Sequence, residues 1–320
     1  MNFTFKKALV TGGAGFIGSH LVEALVTGKC TVTVVDNLSS GSQLNIEPLR
    51  DRITFYQGDI RQRDILEKAA EGCDVIFHLA AVVAVQQTID NPVESAEIND
   101  IGTVNVFEAA RSQNVRRIVF SSSCAVYGDD PLLPKTETMN PKPTSPYAVQ
   151  KLSAEHYARI YCELFGLESV SLRYFNVFGP RQDPSSPYSG VISLFMTRAA
   201  SKQAPVIFGD GNQSRDFVYV QDVVKANLLA AAMNHPQGSI FNIGTGNQVR
   251  INRLWELIAS LSGQKKLEPR YEPARAGDIL HSYAAMDFTR SKLKFKPDFS
   301  LEQGLEMTLE WYRRQKTEDS

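Results

Sequence analysis

The sequence predicts a doubly wound α/β protein: one parallel sheet with helices on both faces, followed by a smaller C-terminal α/β part. Three observations carry this expectation. The first half alternates short β-branched runs with helical stretches, the rhythm of βαβ units joined by right-handed crossovers. Those runs are apolar throughout, as in strands buried on both faces. A glycine-rich turn joins the first strand to the first helix.

In chain order, Lys7–Thr11 (KALVT) reads as a strand, residues 16–26 as a helix and Thr31–Asp36 (TVTVVD) as a second strand. Ile53–Gln57 and residues 75–79 and 117–121 are three further strands, with helical segments near 62–70 and 99–111 between them. The next helix has a legible start, because Ser145 can cap free amides and Pro146 sits where a missing N–H is harmless. A strand at 170–175 ends the regular part. Beyond it lie a Pro/Ser/Gly-rich stretch at 179–190, a helix over 223–233, a strand and turn at 238–246, and helices near 251–262 and 301–316. Residues 1–175 are therefore expected to form the sheet domain. Residues 176–320 form the smaller one, crossing back to the sheet within about 217–246.

Composition narrows the function classes. The 320 residues are 43% hydrophobic and 22% charged, and 34 Lys plus Arg face 35 Asp plus Glu. Such a balance supplies no long-range field, so neither nucleic acid nor an anionic membrane is an expected partner. No apolar run approaches the ~18 residues of a membrane helix. The opening MNFTFKKALV reads as the approach to a strand, without a signal-peptide cleavage site. Cys30, Cys73, Cys124 and Cys162 form no CxxC pair, which fits a reducing cytoplasm, and the five histidines show no metal-ligand spacing. No metal site is expected.

The glycine turn is the first chemical signal. In Thr11-Gly12-Gly13-Ala14-Gly15-Phe16-Ile17-Gly18, Gly12 permits the tight turn, Gly15 lets the backbone approach a pyrophosphate, and Gly18 allows the helix to pack on the strand. The anion would lie at the helix N-terminus. Asp36 ends the next strand, 18 residues past Gly18, where a carboxylate accepts both hydroxyls of an adenine ribose. It would repel a 2′-phosphate, and no Arg or Lys follows before Arg50, so NAD is expected rather than NADP.

The second signal is a Tyr147/Lys151 pair, four residues apart on one helical face. A phenol with an ordinary pKa of ~10 is a poor base, and a nearby ammonium together with an oxidised nicotinamide is expected to lower it. The strand at 117–121 runs into a serine-rich segment, SSSCAVYG, delivering hydroxyls to the sheet edge where ligands of doubly wound folds bind. Ser123, Tyr147 and Lys151 would there handle the proton of an alcohol being oxidised.

Together the glycine motif, Asp36, Gly58-Asp59-Ile60, His78-Leu79-Ala80-Ala81, Asn99, the serine run, Tyr147/Lys151 and Arg173-Tyr174-Phe175-Asn176-Val177-Phe178-Gly179 resemble the extended short-chain dehydrogenase/reductase family. More narrowly, the chain looks like the nucleotide-sugar 4-epimerases, from Lys7 to about Arg314. The resemblance implies a Rossmann domain holding NAD tightly. It places Asp59 and Ile60 at the adenine, Leu79, Ala80 and Ala81 by the pyrophosphate, and Asn99 and Phe175 in the cofactor pocket. It adds Phe16, Ile17, Asn37, Ser40, Gly41 and Ser121 to the cofactor's surroundings and makes His78 structural. For the substrate it implies Ser123 and Tyr147 at the sugar 4-hydroxyl, Asn176 near the sugar or a phosphate, and Val191, Val206 and Phe208 at a uracil. Arg215, Arg275 and Asp278 fall on the ribose and diphosphate; guanidinium suits such oxyanions.

The activity so implied is NAD-dependent 4-epimerisation of UDP-hexoses through a 4-keto sugar, with UDP-GlcNAc and UDP-GalNAc interconverted and UDP-Glc/UDP-Gal tolerated. By the family's spacing Ser282 faces the sugar's 2-substituent and leaves room for an N-acetyl group, although a one-residue slip would turn Tyr283 inward instead. A 4,6-dehydratase or decarboxylase on the same fold would carry carboxylates directly after Ser123, where this chain has Cys124 and Ala125. A reductase would release its cofactor, and a non-catalytic NAD sensor would not need Ser123, Tyr147 and Lys151 together. The 147–165 helix is apolar along Ala154, Ala158, Tyr161 and Phe165 and again along Ala148, Leu152, Ile160 and Leu164. The expectation from the resemblance is a homodimer through a helical bundle.

Overall fold

The computed structural model describes residues 3–183, 190–274 and 279–318. Its first half runs β1 (Lys7–Thr11), α1 (Phe16–Thr27), β2 (Thr31–Asp36), β3 (Ile53–Gln57), α2 (Arg63–Ala70), β4 (Val75–His78), α3 (Val85–Asp90), α4 (Pro92–Ala96), α5 (Thr103–Ser112), β5 (Arg117–Ser123), α6 (Pro146–Phe165) and β6 (Glu168–Tyr174). The second half runs β7 (Asn176–Phe178), α7 (Val191–Ala200), β8 (Val206–Phe208), β9 (Ser214–Arg215), β10 (Phe217–Tyr219), α8 (Val220–Ala232), β11 (Ser239–Ile243), β12 (Val249–Arg250), α9 (Ile251–Leu261), β13 (Arg270–Glu272), α10 (Asp287–Lys292) and α11 (Leu301–Glu318).

Seven strands form one sheet in the order β11-β6-β5-β4-β1-β2-β3, and every pairing in it is parallel. β11 belongs to the second half of the chain yet supplies an edge strand, and the preceding α8 packs back on α1 and β5. The strand order reverses beside β1, whose neighbours are β2 and β4. That reversal opens a crevice at the carboxyl ends of the strands. The remaining strands form three two-stranded ribbons, β10-β7, β12-β9 and β13-β8.

The two-residue period of the strands splits the core into two layers. Ala8 and Val10 join Phe77, Val119 and Val170 on one face under α1 and α8. Leu9 joins Ile76, Ile118, Phe107 and Tyr161 on the other. A third cluster, built on Phe178, Phe195, Phe217 and Trp255, lies in the C-terminal part, with Phe16 and Ile17 of α1 packed against it.

Two features of the chain position the site. β5 continues to Ser123, two residues beyond the expected end, so the serine run is itself strand. α6 starts as its sequence indicates: the Ser145 hydroxyl accepts from the Ala148 amide at 3.2 Å, with Pro146 in the first turn. It ends on Gly166, whose φ of +70° suits a residue without Cβ. α3, α4 and α7 have no counterpart among the expected elements; each is short or follows a loop-like composition.

Candidate active site

The turn after β1 divides the glycines' tasks differently from the expectation. Gly12 has φ +71° and lies so close to the next strand's end that a Cβ would sit 2.7 Å from the Ala80 amide nitrogen. At Gly18 a Cβ would collide with the Gly12 carbonyl, so this residue packs on the loop itself. Gly13 instead accommodates Val34 of β2 and Val22 of α1. A Cβ on Gly15 would have one protein neighbour within 4 Å, the Gly12 oxygen at 3.2 Å. The space above the start of α1 is thus left to a ligand, and Phe16 and Ile17 open the helix there.

Asp36 is buried at the end of β2, where its carboxylate accepts from the Ala14 amide at 2.9 Å and the Leu38 amide at 2.8 Å. Burial raises its pKa while these bonds lower it. The Gly15 amide is a third donor to it, which leaves about one of its roughly four acceptor positions for a ribose hydroxyl. Gly41 lies against Ala14 and Asp36, closing the loop that carries Ser40 over the turn. Asp59 accepts from the Arg61 amide and guanidinium and from the Asn37 side-chain nitrogen, all at 2.9 Å. Its pKa falls to about 2, chiefly through Arg61, and an adenine amine would share this carboxylate with Arg61. Ile60 is buried against Gly102.

Leu79, Ala80 and Ala81 follow β4, with the Leu79 amide bonded to the Thr11 carbonyl at 3.1 Å. His78 is enclosed: its ring nitrogens meet the Thr11 and Thr103 hydroxyls at 2.7 and 3.0 Å, and burial lowers its pKa to about 3. It is a neutral strut between β1 and α5. Asn99 sits on a π-helical turn, Glu97–Gly102, and clamps the segment after β4 by bonds to the Val82 amide and carbonyl at 2.8 and 2.9 Å. Its amide also donates to Gln150 on α6 at 2.7 Å.

Ser123, Tyr147 and Lys151 converge at the C-terminal end of β5. Lys151 is buried and donates to the Ser121 carbonyl at 2.9 Å, with its ammonium 4.9 Å from the Phe120 ring and 5.8 Å from the Tyr147 ring. One of its three protons is so used, leaving two for a ribose. Tyr147 is buried, its amide donates to the Thr88 hydroxyl at 3.2 Å, and its phenol shares a hydrogen bond with Ser123. The expected lowering of the phenol's pKa is not found in the chain by itself. Burial pushes Tyr147 up to about 12 against the Ser123 bond, and desolvation drops Lys151 to about 7. The lysine's charge is too costly at this depth to act as a permanent field on the phenol.

Two of the residues expected on the substrate side, Ser282 and Arg215, meet Cys124 beside Ser123. Ser282 is buried, and its hydroxyl bonds the Cys124 thiol beside Ser123; burial raises that thiol to about 11. Tyr283 is half-buried, and its carbonyl accepts from the Lys135 amide at 2.9 Å. Arg215 lies close enough to act on Cys124 electrostatically and donates to the Ser214 carbonyl at 2.9 Å. Asn176 begins β7, Val191 begins α7, and Val206 and Phe208 are half-buried on β8. Phe175 is buried, its amide bonded to the Ile243 carbonyl at 2.9 Å. Arg275 and Asp278 lie outside the described residues.

Asp216, absent from the sequence expectations, is the hub of this wall. It is fully buried and accepts from the Thr245 amide (2.8 Å) and hydroxyl (2.6 Å), the Gly246 amide (2.9 Å) and the Ala284 amide (3.1 Å). An acid preceding the apolar run Phe217–Tyr219 was its one sequence signal.

Comparison with known proteins agrees with this geometry. A model of the NAD dependent epimerase/dehydratase family matches residues 8–244. A putative UDP-glucose 4-epimerase of Methanocaldococcus jannaschii is 41% identical over 307 residues, spanning 95% of this chain and 98% of its own. Among solved structures, a UDP-N-acetylglucosamine 4-epimerase from Methanobrevibacter ruminantium, in complex with UDP-N-acetylmuramic acid, superposes with a TM-score of 0.93. It shares 41% identity over 98% of this chain and 100% of that one. A UDP-glucose 4-epimerase from Thermotoga maritima with UDP-glucose gives 0.92 at 39% identity, covering 97% and 99%.

Lys151 gives the site a measurable pH dependence. Between its folded pKa of about 7 and an unfolded value of ~10.4, the unfolded chain binds a proton that the folded chain does not, so stability rises with pH across that window. Below it both states are protonated and the burial penalty is constant. In cofactor-free protein the difference in unfolding midpoint between wild type and Lys151→Met should grow in favour of wild type from pH 7 towards pH 10. Parallel melting profiles would show that this lysine titrates as if exposed.

Proposed function

The chain belongs to the NAD dependent epimerase/dehydratase family, and from that premise we propose that it is an NAD-dependent 4-epimerase of UDP-hexoses, interconverting UDP-GlcNAc with UDP-GalNAc and UDP-Glc with UDP-Gal. The observation that carries the reading is the hydrogen-bonded Ser123–Tyr147 pair beside buried Lys151, with no carboxylate in the two positions after Ser123.

NAD held there would supply a reversible hydride acceptor for C4 of the sugar. The open space above Gly15, the acceptor position left on Asp36 and the two unused protons on Lys151 fit such a dinucleotide. Tyr147 takes the proton of the 4-hydroxyl and later gives it back, while Ser123 hydrogen-bonds to the same oxygen. Lys151 holds the nicotinamide ribose. Arg215, Arg275 and Asp278 grip the ribose and diphosphate, Val191, Val206 and Phe208 meet the uracil, and Asn176 reaches a phosphate or the sugar. The division of labour is a sheet domain for NAD, residues 1–175, and a substrate part from 176 onward. The nucleotide is held firmly and the sugar loosely, so that the keto sugar can turn over.

The small side chains of Ser282 and Cys124, hydrogen-bonded to each other, support acceptance of a 2-N-acetyl group. As a partner we place a second copy of the chain on the α6 face. Its Ala154, Ala158 and Tyr161 stripe is core, against Phe107, rather than interface. Val149, Tyr157, Leu164 and Phe165 stay exposed on α6, with Ile101 exposed beside α5, a face suited to a four-helix bundle. Among the described residues no helix is long and apolar enough to cross a membrane, and a cytoplasmic location agrees with four free cysteines.

Incubation with UDP-GlcNAc and UDP-Glc followed by product analysis tests the activity, and UDP-GalNAc and UDP-Gal are the expected products. Tyr147→Phe should fold, retain NAD and lose roughly 10²–10⁴-fold in turnover, the usual contribution of a positioned base; full activity would assign the proton transfer elsewhere. Ser282→Tyr should abolish turnover of UDP-GalNAc by steric exclusion and spare UDP-Gal, and unchanged UDP-GalNAc rates would remove Ser282 as the gate. Sedimentation at micromolar concentration should show twice the mass of the 35.5 kDa chain, and a monomer alone would exclude the bundle.

A further inference from the structure

The chain is nearly neutral, with 34 basic and 35 acidic side chains, yet its charges are not evenly spread. Arg250, Arg253, Arg290 and Lys296 line a single cleft of about 640 Å³ with one carboxylate, Glu302. The cleft lies between α9, the start of α11 and the segment 296–300, and of the residues described above it shares with the sugar side only Thr245, a partner of Asp216. We propose that it is a second binding site, for a nucleotide-like small molecule carrying two or more phosphates.

Size and chemistry both point to that class. The volume falls within the ~300–1,000 Å³ of small-molecule sites. Phe217 and Leu257 supply an apolar floor, and Phe299 and Leu301 an apolar wall. Guanidinium forks suit phosphate oxygens, while a flat apolar base or ring suits the floor. Arg253 and Arg290 have carboxylate partners, Glu256 at 3.0 Å and Asp287 at 3.8 Å. Both are exposed i,i+3 pairs outside the lining, of a kind that contributes little and yields readily to a phosphate.

The walls are built before any ligand arrives. Buried Asp222 accepts from the Asp298 amide at 2.7 Å and the Phe299 amide at 3.4 Å. Lys225 donates to the Lys296 carbonyl at 2.9 Å and to Asp298 at 2.7 Å. Across the cleft, Thr245 is fixed by its two bonds to Asp216. Little ordering is left to oppose binding.

The test is calorimetric titration of NAD-loaded full-length protein, with and without one equivalent of UDP, which the active site takes first, using ATP and inorganic tripolyphosphate as probes. We expect one equivalent of each to bind, with ATP tighter because its base covers the apolar floor. Arg250→Gln/Lys296→Gln should weaken both by about tenfold or more, the loss of at least one charge-assisted contact, and leave epimerisation unchanged. Lys202→Gln/Lys265→Gln removes the same charge away from the cleft and should not alter binding. Absence of saturable binding at millimolar probe, or equal weakening by both double variants, would overturn the site. Tripolyphosphate binding without ATP binding would overturn the nucleotide-like class.

Discussion

A buried ion pair sets the geometry on which the catalytic residues depend. Arg173 of β6 and Glu155 of α6 are both 2% exposed and meet through two bonds, at 2.8 and 2.7 Å. The same carboxylate accepts from the Ser122 hydroxyl of β5 at 2.5 Å. One side chain on the helix is thereby tied to two strands. Desolvating two charges is costly, and apolar replacements of equal volume often do as well for stability. What the pair adds is registry: slide α6 by one residue and the carboxylate is stranded. Glu155 stands one turn beyond Lys151 and two beyond Tyr147, so fixing it fixes where the ammonium reaches Ser121 and where the phenol reaches Ser123.

The network continues into the substrate wall. The Arg173 guanidinium lies 4.8 Å from the Tyr127 ring, and the Tyr127 hydroxyl donates to Asn242 of β11 at 2.6 Å. Asn242 donates to the Lys135 carbonyl at 2.8 Å, and Lys135 exchanges backbone bonds with Tyr283 and Ala285. From the other side Asp216 holds Ala284. The segment bearing Ser282 is pinned at both edges, with Ser282 and Ala284 buried and Tyr283 between them half-buried.

Local signals were the legible ones. The strand–glycine–helix turn, Asp36, the capped start of α6 and the four-residue spacing of Tyr147 and Lys151 are all readable over short windows, because backbone sterics and helical period act over short windows. Long-range partners were not. Asp216 bonds residues 29 to 68 positions away, and no local pattern marks them. Gly13 and Gly18 exchange parts because contact with Val34 is a property of the packed sheet. The Ala154–Tyr161 stripe reads equally as core or interface from its period, and only the position of α5 decides for core. Spacing likewise reveals that Tyr147 and Lys151 are near each other, whereas burial, which dominates both pKa values in the chain by itself, depends on the whole fold.

Burial also explains why this arrangement suits epimerisation better than elimination. Loss of water from the sugar requires a second acid–base pair beside Ser123 that is free to exchange a proton. Cys124 occupies the first position after Ser123, and its thiol, raised to about 11, stays protonated near neutrality. The nearby Asp216 is fully committed to four donors from Thr245, Gly246 and Ala284; protonating it would break the wall that it supports. Among the described residues at this end of β5, Tyr147 is then the group placed to take a proton from the sugar and return it. One reversible proton transfer at one oxygen is what inversion at C4 needs from the protein. The scarcity of other bases keeps the keto sugar from reacting onward while it turns.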